Sequence, residues 1–378
     1  MTDLPRTDID PDGLLEYSVV FTDRSLNHMS QKFIAAAQEI LQLLTSTYNA
    51  ESAALVPGGG TGAMEAVARQ LFGGKKVLIL RSGLFTFRWS QIIEAGSITN
   101  DVKVLNAQPT SGSATPSFAP PELDSVREAA AAFSPDVIVT AHTETAAGLT
   151  LPEDYLRGLG EIARDSGALF VLDCIAAGAS FTNMKETGVD VLVSAPQKSW
   201  SGSPATGYVL LGEQGRAAVE ASTSSSFTLD LKKWLEIFDG YREGKAGYHS
   251  TLPTDTILHN LEAMKESTRV GLDVLAARQR KLGRLVREAA YERGFVSVAA
   301  EGYESNGVVV LYATSPELQS GAAFKAQGLQ IAAGVPLKID EGADFATFRV
   351  GLFGLDKWAD PEAAAERFIE ALDQVGSR

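Results

Sequence analysis

The sequence predicts an α/β protein: a large domain built on a mostly parallel sheet, followed by a small C-terminal α+β domain. Three observations carry the prediction. Between about residue 50 and residue 210, short apolar or β-branched runs alternate with stretches of helical period. Those runs are apolar on both faces, as strands covered by helices on either side must be. From residue 254 the pattern changes to a long helical stretch and then to mixed strands and helices.

Taken in order, KVLIL (76–80), DVIVT (136–140), LFVLD (169–173), DVLVS (190–194) and GYVLL (207–211) are expected strands, and 61–72, 122–133 and 153–166 expected helices. The Pro-, Ser- and Thr-rich stretch 106–121 lacks apolar periodicity and is expected to be an exposed loop. A helical pattern runs from Thr254 to Arg293, with Gly271 a possible kink. Strands VSVAA and GVVVLY follow, then helix 316–327, strand TFRVGL and helix 361–375. The expected division is an N-terminal segment 1–20, a large domain 21–255, and a connecting helix with the small domain 256–378.

The 378 residues, 45% of them hydrophobic, can bury a sizeable core. The net charge of −14 argues against a nucleic-acid partner, which would need a basic face. No stretch reaches the roughly 20 apolar residues of a membrane span, and no start resembles a cleaved leader; the expectation is a soluble, cytoplasmic protein. Cys174 is the single cysteine, which excludes an internal disulfide. His28, His142, His249 and His259 lack the close spacing of a zinc motif, so no metal is expected.

Three segments carry candidate chemistry. In PGGGTGAMEAVARQLF (57–72), glycines precede a helix whose first N–H groups could cradle a phosphate; plain turn chemistry is the alternative. Asp173 ends an apolar strand at the edge where ligands bind in open α/β sheets. It either caps the next helix or pairs with a core group, or it holds a proton on a pyridine nitrogen, making that ring a better electron sink. Lys198 comes after the strand-like DVLVS in a loop of small residues. A solvated charge is the usual role of a lysine, but one that is partly desolvated loses its proton readily and becomes a nucleophile for an aldehyde.

In this order, and with NHMSQKF, GGGTGAMEA, SGLFTFRW, HTETAAG, LDCIAAGA, SAPQKSWSGSP, YHSTLP and FRVGLFG in place, the chain from about residue 27 onward resembles the class V aminotransferases. These are fold-type I pyridoxal-phosphate enzymes, and the likeness is to the alanine– and serine–glyoxylate group and to 2-aminoethylphosphonate transaminases. The resemblance implies pyridoxal 5'-phosphate as cofactor, carried as a Schiff base on Lys198, with Asp173 on the pyridine nitrogen. It implies Gly59, Gly60, Thr61 and Gln197 at the phosphate, Phe85 stacked on the ring with Ile175 on the opposite face, and Thr145 at the phenolic oxygen. It further implies Tyr248 and Thr251 reaching a partner's phosphate in a homodimer with shared active sites, and Arg349 gripping the substrate carboxylate. The activity implied is amino transfer from an amino acid to a small 2-oxo acid such as glyoxylate or pyruvate. Alternatives are a lyase on the same fold, or a transaminase of a phosphonate or dicarboxylate amine donor. The chain departs from the family at its start, where LLEYSVVFTDRSLNHMS replaces a PGP-containing segment that lines the pocket. Arg24 or His28 could face a second anionic group there, with a surface role the alternative for Arg24.

Overall fold

The computed structural model describes residues 8–376, so the first seven residues of the expected N-terminal segment lie outside it. Helix α1 (Gln31–Tyr48) opens the fold: the Ser30 side chain accepts from the Phe33 N–H at its start, and Asn49 in the left-handed region ends it. Its apolar stripe, including Phe33, Ile40 and Leu44, is buried.

Seven strands form the main sheet: β1 (Ser52–Pro57), β2 (Val77–Arg81), β3 (Val102–Asn106), β4 (Val137–Ala141), β5 (Leu169–Asp173), β6 (Val191–Ser194) and β7 (Thr206–Leu211). Their order is β1-β7-β6-β5-β4-β2-β3, with β7 antiparallel to both neighbours and the other pairs parallel. Four of the five expected strands shift by a single residue at one or both ends, and LFVLD is unchanged. Two strands were not expected. β1 is buried but small-residued and runs straight into the glycine turn; β3 is the sheet edge and nowhere fully buried. The parallel strands are linked by α2 (Gly59–Leu71), α3 (Leu84–Ala95), α4 (Leu123–Phe133) and α5 (Glu153–Ser166). Their apolar faces, with Trp89, Phe72 and Phe170 fully buried, close one continuous core, each such side chain contributing on the order of 1.5–3 kcal/mol.

The Thr254–Arg293 pattern is two helices, α6 (Thr254–Val270) and α7 (Leu272–Glu292), broken at Gly271, whose φ of 98° no helix accommodates. A second core lies beyond it, where α7 and α8 (Pro361–Gly376) cover a three-stranded sheet. Its strands are β8 (Val308–Tyr312), β9 (Ala332–Ala333) and β10 (Thr347–Gly351), with β10 central. Two expectations fail here. Residues 316–327 are not one helix but two short ones, Pro316–Ser320 and Ala322–Lys325, because Gly321 at φ 78° turns the chain. VSVAA is buried at Val298 yet forms only isolated bridges, its hydrogen bonds being divided between the 118 segment and β8. The stretch 106–121, expected as a loop, contains a short hairpin, Gln108–Pro109 against Phe118–Ala119. Among the described residues, no helix is long and apolar enough to cross a membrane.

Candidate active site

The segments after β1, β2, β4, β5 and β6 all meet at one edge of the sheet, the edge where ligands collect in open α/β folds. After β1 the chain turns through Gly58 and Gly59, both at positive φ (95° and 66°), and enters α2. Both N–H groups donate to the Ala205 carbonyl, at 3.2 and 3.3 Å, so the Gly59 amide is already engaged. The amides of Gly60 and Thr61, in the first helical turn, have no helical acceptor and are available to an anion. Side chains are excluded here: a Cβ on Gly60 would lie 2.6 Å from Ile175 Cδ1, and one on Gly62 2.4 Å from the Pro57 carbonyl oxygen.

Asp173 closes β5 at 5% exposure, its Oδ1 accepting from the Ile175 N–H at 2.9 Å. Burial pushes its carboxyl up to about 6, against the opposing pull of that N–H and of Lys198. Beyond β6, Pro196 starts a single helical turn, Pro196–Ser199, that carries Gln197 and Lys198. Burial holds the Lys198 amine below the usual lysine range, Asp173 works the other way, and Arg88 and Arg349 add to the depression. The buried Oε1 of Gln197 has no hydrogen-bond partner.

The start of α3 is fixed from below by Glu144, which is fully buried. Its carboxylate accepts from the N–H groups of Phe85 (3.2 Å), Thr86 (2.8 Å) and Ala146 (2.9 Å) and from the Thr86 hydroxyl (2.5 Å). An anion at a helix N-terminus suits both the free donors and the dipole. Gly83 leaves room for it, since a Cβ there would lie 2.7 Å from the Glu144 carboxyl carbon. The Phe85 ring is thereby held over the cavity, with the Arg88 guanidinium 5.1 Å and the Arg349 guanidinium 5.7 Å from its centre. Arg349 stands on β10 and anchors its Nε on the Ala333 carbonyl at 2.9 Å.

One cavity brings together Gly60, Thr61, Phe85, Thr145, Asp173, Ile175, Gln197 and Lys198. Gly59 and Arg349 do not line it; the Arg349 guanidinium stands over the Phe85 ring that does. Tyr248 and Thr251 are hydrogen-bonded to each other at 3.2 Å and do not line the cavity, with Tyr248 54% exposed. Of the N-terminal candidates, His28 is buried between the rings of Phe21 and Tyr248, and Arg24 is exposed beside Asp23. Sequence reasoning passed over Arg88, which lines the cavity and donates to Thr61 Oγ1 at 3.2 Å. Its signal was its spacing: three residues after Phe85, it shares that residue's helix face.

A mostly parallel sheet of this order, with a strand-end aspartate, a lysine on the short helical turn beyond β6 and a glycine-turned helix start at one edge, defines a fold-type I pyridoxal-phosphate enzyme. Residues 14–299 match the model of the family described as aminotransferase class-V, and the chain belongs to that family. The match stops short of β10 and Arg349. A soluble hydrogenase small subunit from Synechococcus is 23% identical over 93% of this chain and 88% of its own length. An L-aspartate–glyoxylate aminotransferase from Paracoccus denitrificans is 27% identical over 62% of this chain and 57% of its own length. A 2-aminoethylphosphonate–pyruvate transaminase from Salmonella typhimurium is 28% identical over 65% of this chain and 64% of its own length. The chain therefore spans less than two thirds of these two transaminases. Among solved structures, an alanine–glyoxylate aminotransferase from Nostoc superposes with a TM-score of 0.78 at 24% identity, over 93% of this chain and 89% of that one.

The residues present fit pyridoxal phosphate. Gly60 has no side chain to obstruct a phosphate, and Gln197 ends in a buried amide atom without a partner, where a flip would present its NH2 donor. Asp173 is a buried carboxyl whose one hydrogen bond comes from its own turn, leaving acceptor capacity for a ring N–H.

Proposed function

We propose that this aminotransferase moves the amino group of an amino acid to a small 2-oxo acid, glyoxylate or pyruvate, in the cavity that holds Lys198 and Asp173. The observation that carries the reading is the convergence of these two groups with the free amides of Gly60 and Thr61 on one buried space. The acceptor is supported by the names of the Paracoccus and Salmonella relatives.

The bound cofactor would supply an aldehyde that condenses with amines and a ring that withdraws electrons from the substrate α-carbon. Asp173 would hold the proton on that ring's nitrogen, a cationic partner returning its carboxyl to the charged state that burial disfavours. Lys198, its amine made easier to deprotonate by burial and by two arginines, would be the covalent anchor and then the base that moves the α-proton. Phe85 and Ile175 would clasp the ring from opposite faces, and Thr145 would reach its phenolic oxygen. Gly59 would set the turn that presents the amides of Gly60 and Thr61 to the phosphate, with Gln197 beside them. Arg349 has its Nε engaged, which leaves the terminal amino groups to fork onto a substrate carboxylate.

Tyr248 and Thr251 do not line their own cavity, and the reading has them reach the phosphate of a second copy, in a cytoplasmic homodimer with shared sites. We take the connecting helix from residue 256 onward, with the small domain, as the unit that brings Arg349 to the site. A sulfur-transfer reading is disfavoured, because Cys174 is fully buried and its thiol is held far above the range of a reactive thiolate. The test is a panel of amino donors assayed against glyoxylate, pyruvate and 2-oxoglutarate. Formation of glycine or alanine from the first two supports the reading; a protein that releases ammonia or sulfide and aminates none of the three contradicts it.

A further inference from the structure

The phosphate cradle proposed above consists wholly of neutral donors: two amides, the Gln197 amide and two hydroxyls from a second copy. A phosphate monoester carries close to two negative charges at neutral pH, and this chain's net charge of −14 repels it further. Arg88 is the cation beside that cradle. Its Nη1 donates to Thr61 Oγ1 at 3.2 Å, which occupies the oxygen as an acceptor and leaves the hydroxyl proton free to donate elsewhere. Its guanidinium rests 5.1 Å from the Phe85 ring centre and lines the same cavity. Among the described residues no carboxylate forms an ion pair with it, so its charge is unspent. It is rigidly presented, because α3 is fixed at its first turn by the four hydrogen bonds to buried Glu144.

We propose that Arg88 is the charged ligand of the cofactor phosphate, acting with Thr61 at the start of α2. The inference rests on the pyridoxal-phosphate reading of the cavity. The same guanidinium chemistry would suit a second carboxylate or a phosphonate on the substrate; the contact with Thr61 places it at the cofactor's end. Its field on Lys198 and Asp173 is consistent with that position.

The test compares pyridoxal 5'-phosphate with pyridoxal, which lacks the phosphate, in titrations of the apoprotein followed by absorbance. In Arg88→Gln the dissociation constant for the phosphorylated cofactor should rise roughly ten- to a hundredfold, the loss of charge-assisted hydrogen bonds, while that for pyridoxal stays near the wild-type value. Arg88→Lys keeps the charge without the planar fork and should fall between. Inorganic phosphate should compete with cofactor less well in the glutamine variant. Should that variant not fold, the ratio of the two affinities in Arg88→Lys decides. Equal losses for both ligands would overturn the proposal, as would unchanged cofactor affinity with a raised KM confined to donors that carry a second anionic group. A wild-type protein that takes up no cofactor at all would instead overturn the reading of the cavity itself.

Discussion

At the scale of single residues, burial pushes two neighbouring groups in opposite directions. Asp173 ends β5 and His142 stands just past the end of the adjacent β4, with the His142 N–H donating to the Asp173 carbonyl at 2.8 Å. Asp173 rises from 3.8 to about 6 and His142 falls from 6.5 to about 4, both chiefly through desolvation. Between pH 3.8 and about 6 the folded apoprotein holds the Asp173 proton more tightly than the unfolded chain does, so this group lowers stability as pH rises through that window. His142 contributes stability that is present above pH 6.5 and lost as pH falls towards about 4. Over most of that range the two slopes nearly cancel. Asp173→Asn removes one of them: the apo variant should match wild type near pH 4 and exceed it by about 3 kcal/mol above pH 6, at 1.36 kcal/mol per unit. Urea melts across pH check this. A difference between variant and wild type that does not change with pH would refute the assignment.

At the scale of elements, α3 shows what a sequence reveals and what it hides. The strand before it, KVLIL, is written in the apolar pattern, and SGLFTFRW marked Phe85 by resemblance, but the helix Leu84–Ala95 itself was not among those expected. Nothing in that string says that Glu144, far along the chain, would seal its first turn, or that Arg88 would face the cavity. Those are facts about which helix face meets which loop, decided by tertiary packing. The positions of Asp173, where an apolar run stops, and of Lys198, four residues past the end of another, were legible, whereas the edge strand β3 was not, because its residues are only partly buried. VSVAA misled for a related reason: its alternation reports burial, while its hydrogen bonds go to two different elements. Glu144→Ala should strand three N–H donors and the Thr86 hydroxyl and cost about 3–5 kcal/mol, since each buried donor left without a partner costs on the order of 1–3 kcal/mol. Glu144→Gln keeps an acceptor and should cost less. Thermal denaturation distinguishes them, and equal, small effects of both would show that the N-terminus of α3 does not depend on this carboxylate.

At the scale of the molecule, a single chain leaves Leu14, Leu15, Tyr17 and Val19 exposed along its start and Tyr248 at 54% exposure near the YHSTLP turn. The proposed homodimer would bury those surfaces and bring Tyr248 and Thr251 to the cavity of the second copy. Light scattering should give twice the chain mass, and Tyr248→Phe should weaken cofactor binding without dissociating the dimer; full activity from a monomer would contradict the shared site. The central claim is that these distant segments converge to hold one cofactor on one lysine. Reduction of the holoprotein with borohydride, followed by peptide mapping, tests it most directly. The cofactor should be fixed on the peptide containing Lys198, and Lys198→Ala should leave no adduct. Its recovery on another lysine, or its absence from the wild-type protein, would contradict the account.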